Sequence, residues 1–342
     1  MYAGEEYSSP TMKKSFPLLC TLLAVLPVLS CKKSQEGTPV TTGKFTVLGT
    51  KTDNQDPAQA KANAENTLQL NADLGAMVGL YGYNPALCLD AIPPDKRGKV
   101  KVFGFDGEPG TVKGMKAGHI EGTVVQQPFE FAWQSMKTLM ALHNGQAVEG
   151  AKDGIVAIPV KIITKDTLAA YEKAQAAILA SASATAGAPA TAATKFVFIT
   201  NGQSSFWDAA RAGCRKAEKD FGITVEFQMP QDAQDQNRIL ESILAKGDYK
   251  GVAISVLSPD SQGDLLQKIA DKMPLVTHDS DAPKSARKFY HGIDNYEAGK
   301  ALGGFIRERM PEGGKLMFFV ANLDALNASE RRRGLIDGLN TP

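Results

Sequence analysis

The residues of this chain that could grip a small molecule stand at the ends of short apolar runs. Run 195–200 leads into Asn201-Gly-Gln-Ser-Ser-Phe206-Trp207, and run 274–277 into His278-Asp279-Ser280-Asp281. Run 76–81 leads into Gly82-Tyr83-Asn84, run 101–105 into Asp106-Gly-Glu-Pro109, and run 122–125 into Gln126-Gln-Pro128. Carboxylates accept hydrogen bonds on two oxygens, amides both donate and accept, and neither needs a metal to do so. Aromatic faces such as those of Phe206 and Trp207 add apolar contact with C–H groups. Asp, Asn, Gln and Trp gathered in this way suit a small, uncharged, hydroxyl-rich ligand, and the expectation is a sugar.

Those loops need a scaffold that brings strand ends together. Strand-like runs are expected at 45–50, 76–81, 100–105, 121–126, 155–160, 195–200, 223–229, 251–256, 274–278, 288–293 and 315–320. Between them lie amphipathic stretches such as 58–72, 129–144, 207–221, 233–246, 262–272, 296–309 and 327–339. Strands alternating with helices imply an α/β fold of parallel sheets with helices on both faces. In such sheets ligands bind beyond the carboxyl ends of the strands. More than ten strands argue for two doubly wound, Rossmann-like sheets. One segment breaks the pattern: 166–180 reads as a helix, and the Ala-, Ser- and Thr-rich 181–194 as a low-complexity linker.

A chain of 342 residues is long enough for two domains with separate cores. Lys and Arg number 38 against 37 Asp and Glu, so no overall field points to nucleic acid or to a charged partner. Met12-Lys13-Lys14 followed by the mostly apolar 15–30 reads as a signal peptide, which makes Met12 the expected start. That run is short for a membrane span, which needs about 20 apolar residues, and Pro17 and Pro27 interrupt it. It ends in Val28-Leu-Ser-Cys31, which resembles the lipobox of bacterial lipoproteins and implies lipidation of Cys31. Two or more acyl chains there would give a stable membrane anchor. Cys88 and Cys214 remain for the folded part. An exported protein could pair them, and two buried thiols are the alternative.

The loops quoted above resemble those of the periplasmic sugar-binding proteins of the ribose-binding type, the extracytoplasmic receptors of ABC sugar importers. The series covers nearly all of 44–342. It includes Phe206-Trp207 before Ala212-Gly213, His278-Asp-Ser-Asp281, Asp294-Asn-Tyr-Glu-Ala-Gly299, Glu330-Arg-Arg-Arg-Gly334, Thr52-Asp53, Gly104-Phe-Asp106 and Thr123-Val-Val-Gln126. In that family the stretch resembling 195–342 comes first and the one resembling 44–166 follows. The reversed order here reads as a circular permutation, or as a fragment of a tandem duplication. The resemblance implies a type I periplasmic binding protein with two lobes and a three-stranded hinge. One lobe would comprise 127–155 and 195–294. The other would comprise 44–126 and 295–342, with 156–166 returning to it. The leader would be 1–31, the tether 32–43, and the helix with its linker 167–194. Hinge crossings are expected near 126–128, 155–157 and 294–296.

The resemblance also implies roles. Asp279 matches the ligand-gripping carboxylate of the first lobe, with Phe206 and Trp207 as its aromatic pair. Asn84, Asp106, Gln126 and Arg331 match the polar set that faces it. Alternative roles stay open: helix capping for Asp106 and Asp279, core packing for Trp207, and a structural place in the hinge for Gln126. Arg332 and Arg333 beside Arg331 leave its register open by one residue. Two departures stand out. Ser280 follows Asp279 where ribose-type members often carry arginine, and Gln55 stands where they often place an aromatic. Asp281 is expected to supply some of the missing polarity, and the ligand is expected to differ from ribose.

No cofactor or metal is implied. His119, His143, His278 and His291 show no zinc-ligand spacing, and no Walker or G-x-S-x-G motif occurs. His278 beside Asp279 has no evident nucleophile or complementary base, so no enzyme is expected. Asn327-Ala-Ser329 fits a glycosylation sequon that would stay idle in a bacterial protein. The expected partners are a monosaccharide, an ABC permease and, through the lipid alone, a membrane; no nucleic acid is expected. A sugar sensor for a chemoreceptor or histidine kinase is the rival reading. A LacI-type repressor would need a helix-turn-helix where this chain carries its export signal.

Overall fold

The computed structural model describes residues 38–184 and 194–340. The first segment contains β1 (Val40–Thr42), β2 (Phe45–Thr52), α1 (Pro57–Leu70), β3 (Leu74–Gly79), α2 (Asn84–Ala91), β4 (Lys101–Phe105) and α3 (Pro109–Lys116). It continues with β5 (Gly122–Val125), α4 (Pro128–His143), β6 (Ile155–Ala157), β7 (Lys161–Ile163) and α5 (Leu168–Ala184). The second segment opens with β8 (Lys195–Ile199), α6 (Phe206–Phe221), β9 (Thr224–Gln228), α7 (Ala233–Lys246), β10 (Val252–Ile254) and α8 (Pro259–Ala270). It closes with β11 (Leu275–His278), β12 (Phe289–Gly292), α9 (Asn295–Arg309), β13 (Gly314–Val320) and α10 (Leu326–Asn340).

The strands form two sheets, one for each of two α/β lobes. One is seven-stranded in the order β1-β2-β13-β3-β4-β5-β7, and the other six-stranded in the order β6-β12-β11-β10-β8-β9. Their central strands are parallel. Parallel strands covered on both faces must be apolar along their whole length, and β5, β10 and β11 are buried at every residue. Each sheet accordingly has a hydrophobic cluster on either face. The first sheet has one built around Phe103, Phe318 and Leu302 and another around Met77, Met115 and Phe319. The second sheet has Val197, Ile254 and Leu266 on one side and Phe196, Phe198 and Met136 on the other.

Both sheets share one strand order. Counted from β8, the second sheet runs second, first, third, fourth, fifth across β9-β8-β10-β11-β12, a common doubly wound order. The first sheet repeats it across β2-β13-β3-β4-β5 when β13 counts as its first strand. The last turns of α10 also lie beside the end of β1: the Thr42 hydroxyl donates to the carbonyl of Ile336 at 3.5 Å.

The chain passes between the sheets after β5, between β6 and β7, between β7 and β8, and after β12. The strand expected at 155–160 ends early, as β6 at Ile155–Ala157, and β7 at Lys161–Ile163 follows it in the other sheet. Tyr290, His291 and Gly292 pair with Ile155, Val156 and Ala157 and hold β6 in the second sheet, so this passage falls at 158–160 and not at 155–157. Strict parallel alternation also fails at the edges. β1, inside the expected tether, and β7 each add antiparallel to the seven-stranded sheet. Antiparallel additions need no crossover helix, so the strand–helix alternation does not reveal them. Cys88 and Cys214 are buried free thiols, and burial pushes both well above the ordinary thiol range. Cys31, the leader and most of the low-complexity linker lie outside the described residues. Among the described residues no helix is long and apolar enough to cross a membrane.

Candidate functional site

Two aspartates mark the carboxyl ends of facing strands. Asp106 follows β4 with φ of 61°, and Asp279 follows β11 with φ of 55°. A left-handed backbone is uncommon outside glycine, though Asp and Asn tolerate it better than most. Here it turns each carboxylate off its strand. Neither side chain caps a helix. α3 has Glu108 at its N-cap, and the Asp106 carboxylate instead accepts both bonds of the Gln126 amide, at 3.2 and 3.3 Å.

Asp106 and Asp279 line a cavity of about 160 Å³ between the two lobes, together with Gln126, Phe206, Trp207 and Arg331. Asp279 Oδ2 accepts from Asn201 at 3.0 Å, from Ser255 at 2.9 Å and from Asn327 at 3.2 Å. Arg331 Nη2 stands 3.7 Å from Asp279 Oδ1. The rest of that guanidinium is fixed by Asn295 Oδ1 at 2.9 Å and by the Leu80 carbonyl at 3.0 Å. Its central carbon lies 4.5 Å from the Phe105 ring centroid. This settles the register within the arginine run: Arg331 is 1% exposed, whereas Arg332 bonds Thr50 and Arg333 covers Tyr296.

The aromatic pair divides its work. Phe206 is half-buried on the wall, while Trp207 meets the cavity with little surface. Most of the indole packs edge-on against Phe198, Phe206 and His278. Core and cavity-wall readings therefore both hold for Trp207. His278 points away from Asp279 and stacks on Phe198 at 4.0 Å. Burial holds its imidazole well below the ordinary range, which favours the neutral form.

Two expected contacts are not on the cavity wall. Asn84 is buried beneath it, donating to Asp53 at 3.0 Å and accepting from the Tyr81 amide at 3.2 Å. Asp281 is taken up by Arg287 at 2.7 Å and by Thr277 at 2.5 Å. Each spends its hydrogen-bonding capacity on shaping the loop behind the cavity. Conversely, sequence reasoning missed Tyr81, Tyr83, Glu108, Asn201, Ser204 and Asn327, all of which line it. Most of them stand in the strand-end loops, which was the available signal. Tyr81 and Tyr83 are further aromatic residues on the lining, where Gln55 offers none.

Three carboxyl groups line the cavity, and two of them, Asp106 and Asp279, feel the charge of Arg331. Burial pushes Asp106 up to about 7, opposed by Arg331 and Gln126. Asp279 and Glu108 are also raised, in both cases chiefly by burial. Two buried atoms on the wall have no hydrogen-bond partner within the protein, Gln126 Oε1 and Arg331 Nη2. An acceptor and a donor left in this way cost about 1–3 kcal/mol each unless water or a ligand completes them. One hydroxyl group can donate to the first or accept from the second. Among the described residues no group of three or more His, Cys, Asp or Glu could hold a metal.

The family described as periplasmic binding protein domain matches residues 32–147 and 195–342. Comparison with curated proteins finds no match. Several solved structures are similar. An ABC transporter solute-binding protein from Burkholderia graminis, in complex with D-arabinose, is 26% identical with a TM-score of 0.42; the match covers 43% of this chain and 52% of that one. A carbohydrate transporter solute-binding protein from Agrobacterium radiobacter, also with D-arabinose, is 28% identical over 44% of this chain and 54% of that one, with a TM-score of 0.41. A sugar-binding protein of a sugar ABC transporter from Bacillus halodurans is 28% identical over 43% and 51%, with a TM-score of 0.39. The chain spans about half the length of the solved structures it matches.

Proposed function

This chain belongs to the periplasmic binding protein family, whose members bind solutes and are not enzymes, and from that premise we propose that it binds a monosaccharide between its lobes and delivers it to an ABC importer. Gln126 Oε1, which has no hydrogen-bond partner in the protein, and Arg331 Nη2, which has only the Asp279 carboxylate at 3.7 Å, support this reading, because ligand hydroxyls can donate to the first and accept from the second. Asp106 and Asp279 take further hydroxyl protons, and Phe206, Tyr81 and Tyr83 cover the ring's C–H faces. Charge-assisted hydrogen bonds contribute roughly 1.5–3 kcal/mol each. A handful reaches the roughly 8 kcal/mol of micromolar affinity.

Closure is the second part of the proposal. The lobes correspond to 44–126 with 158–166 and 295–342, and to 127–157 with 195–294, with the passages after β5, between β6 and β7 and after β12 as the hinge. Contacts made only when the lobes meet include Gln55 Nε2 to the Asn201 carbonyl at 2.9 Å and Ser204 to Glu108 at 2.5 Å. A ligand touching both lobes stabilises the closed arrangement in proportion to its differential affinity. Periplasmic binding proteins as a class close about a hinge when they take up a ligand, and the motion proposed for this chain is that of its class.

The halves of the fold stand in circularly permuted order. The shared strand order of the two sheets, regained when β13 is counted first, supports this, as does the contact between Thr42 and Ile336. An anchor on Cys31 would hold the receptor at the membrane. A thermal-shift screen of monosaccharides, followed by uptake assays in a deletion strain, tests binding and delivery in turn. No shift with any sugar would refute the binding; binding without a role in uptake would refute the delivery and favour a sensor.

A further inference from the structure

The wall formed by Phe206 has a second side. A second cavity, also about 160 Å³, shares Asp106, Glu108, Gln126 and Phe206 with the first. Its outer wall is α5, from which Tyr171, Gln175 and Leu179 face inward. Their four-residue spacing puts them on one side of the helix. Its far wall includes Asp208 and Ala209 of α6.

α5 is held against both lobes. Lys116 of α3 pairs with Glu172 at 2.6 Å, and the helix packs along α6. Gly107 gives Tyr171 its place, since any side chain there would collide with the phenol. The cavity continues past Gln126, Pro128, Tyr171 and Gln175 into a larger space of about 580 Å³. That space is bounded by Ile162, Ile163 and Ile178.

We infer that the chamber under α5 receives a second sugar ring or other glycosidic substituent, joined to the unit held between Asp106 and Asp279. Among ligands that place a monosaccharide unit between the lobes, a disaccharide or glycoside is then the preferred form. This rests on the sugar reading proposed above and extends it. Only side chains, those of Asp106, Glu108, Gln126 and Phe206, separate the chambers, so a substituent leaving the first ring near Gln126 reaches the second when Gln126 or Phe206 changes rotamer. Phe206 belongs to both walls and offers apolar surface to either ring. The Tyr171 hydroxyl and the Gln175 amide supply polar partners for the second unit. The apolar space beyond leaves room for an aglycone.

Calorimetry on the full chain tests this with matched sets: a monosaccharide, the disaccharides that contain it, and its aryl glycosides. At least one extended ligand is expected to bind 10-fold or more tightly than its monosaccharide. Gln175→Trp, which fills the second chamber, is expected to abolish that gain while leaving monosaccharide affinity within about twofold. Gln175→Ala is expected to reduce the gain without filling space. Monosaccharide binding with no preference for any extended ligand overturns the inference and leaves the sugar reading intact. Equal losses for both ligand classes in Gln175→Trp also overturn it. No binding by any carbohydrate overturns both.

Discussion

Asn327 and Asp279 meet across the cleft: the Asn327 amide, on α10 over one sheet, donates at 3.2 Å to the carboxylate that ends β11 in the other. Both are buried, and Asn327 also accepts the Tyr81 hydroxyl at 2.9 Å. The bond therefore joins the lobes through the carboxylate assigned to the ligand. Asn327→Ala is expected to weaken sugar binding by about 1–3 kcal/mol, since it removes one donor from Asp279 and the acceptor of Tyr81. Titration calorimetry checks this; unchanged affinity would argue against a closed state built on this pair.

Arg331→Lys keeps the charge and loses the fork. A lysine has one nitrogen to replace the separate bonds to Asn295 and Leu80, so the donor facing Asp279 loses its aim. Binding is expected to fall 10-fold or more with little change in secondary structure by circular dichroism. A lysine variant that binds as tightly as the parent would show that only the charge matters.

Asp106 sets a pH dependence of unusual sign. Burial raises it to about 7 and raises Asp53 to about 6, above the ordinary carboxylate value near 4. The folded chain thus holds protons that the unfolded chain has released. Their contribution to stability is complete below about pH 4 and is lost as pH rises through about 6 to 7. Asp106→Asn is expected to flatten the decline in Tm between pH 5 and 8. Parallel Tm curves for parent and variant would contradict the assignment.

Sugar binding should release protons near pH 7. A ligand hydroxyl that donates to Asp106 favours its ionised form and lowers its pKa. Binding enthalpies measured in buffers of different ionisation heat are expected to differ, and affinity should rise from pH 6 to 8. Buffer-independent enthalpies would mean that Asp106 does not accept from the ligand.

The α9–α10 contact positions Arg331 and leaves no room for a side chain at Gly334. A Cβ there would collide with the carbonyl oxygen of Tyr296. Gly334→Ala should cost about 1–3 kcal/mol of stability by overpacking, and it should weaken binding by shifting α10. Denaturant unfolding and calorimetry on one preparation separate the two effects. An alanine variant of full stability would show that the helices separate freely.

Legibility followed the physics of each position. Asp106, Asp279, Gln126 and Phe206 were readable because apolar runs of parallel strands are conspicuous and their ends define where ligands bind. Arg331 came only through resemblance, because a run of three arginines resembles a solvated helix face. Asn327 read only as part of an idle sequon, and α10 buries it against the cavity. Asn84 and Asp281 occupy strand-end loops like the others. Whether such a side chain turns to the cavity or to Asp53 or Arg287 depends on partners distant in the chain.

The order of amino acids by itself determined the α/β alternation, the two sheets, and the loops that carry the polar and aromatic groups, since local periodicity and burial are written residue by residue. Tertiary structure decided which of those groups meet. Asn327 reaches Asp279, α5 walls a second chamber, and Asp281 is neutralised by Arg287. Contacts of this kind depend on the angle and distance between packed elements, and a helical or strand pattern specifies which face is buried without specifying what it is buried against.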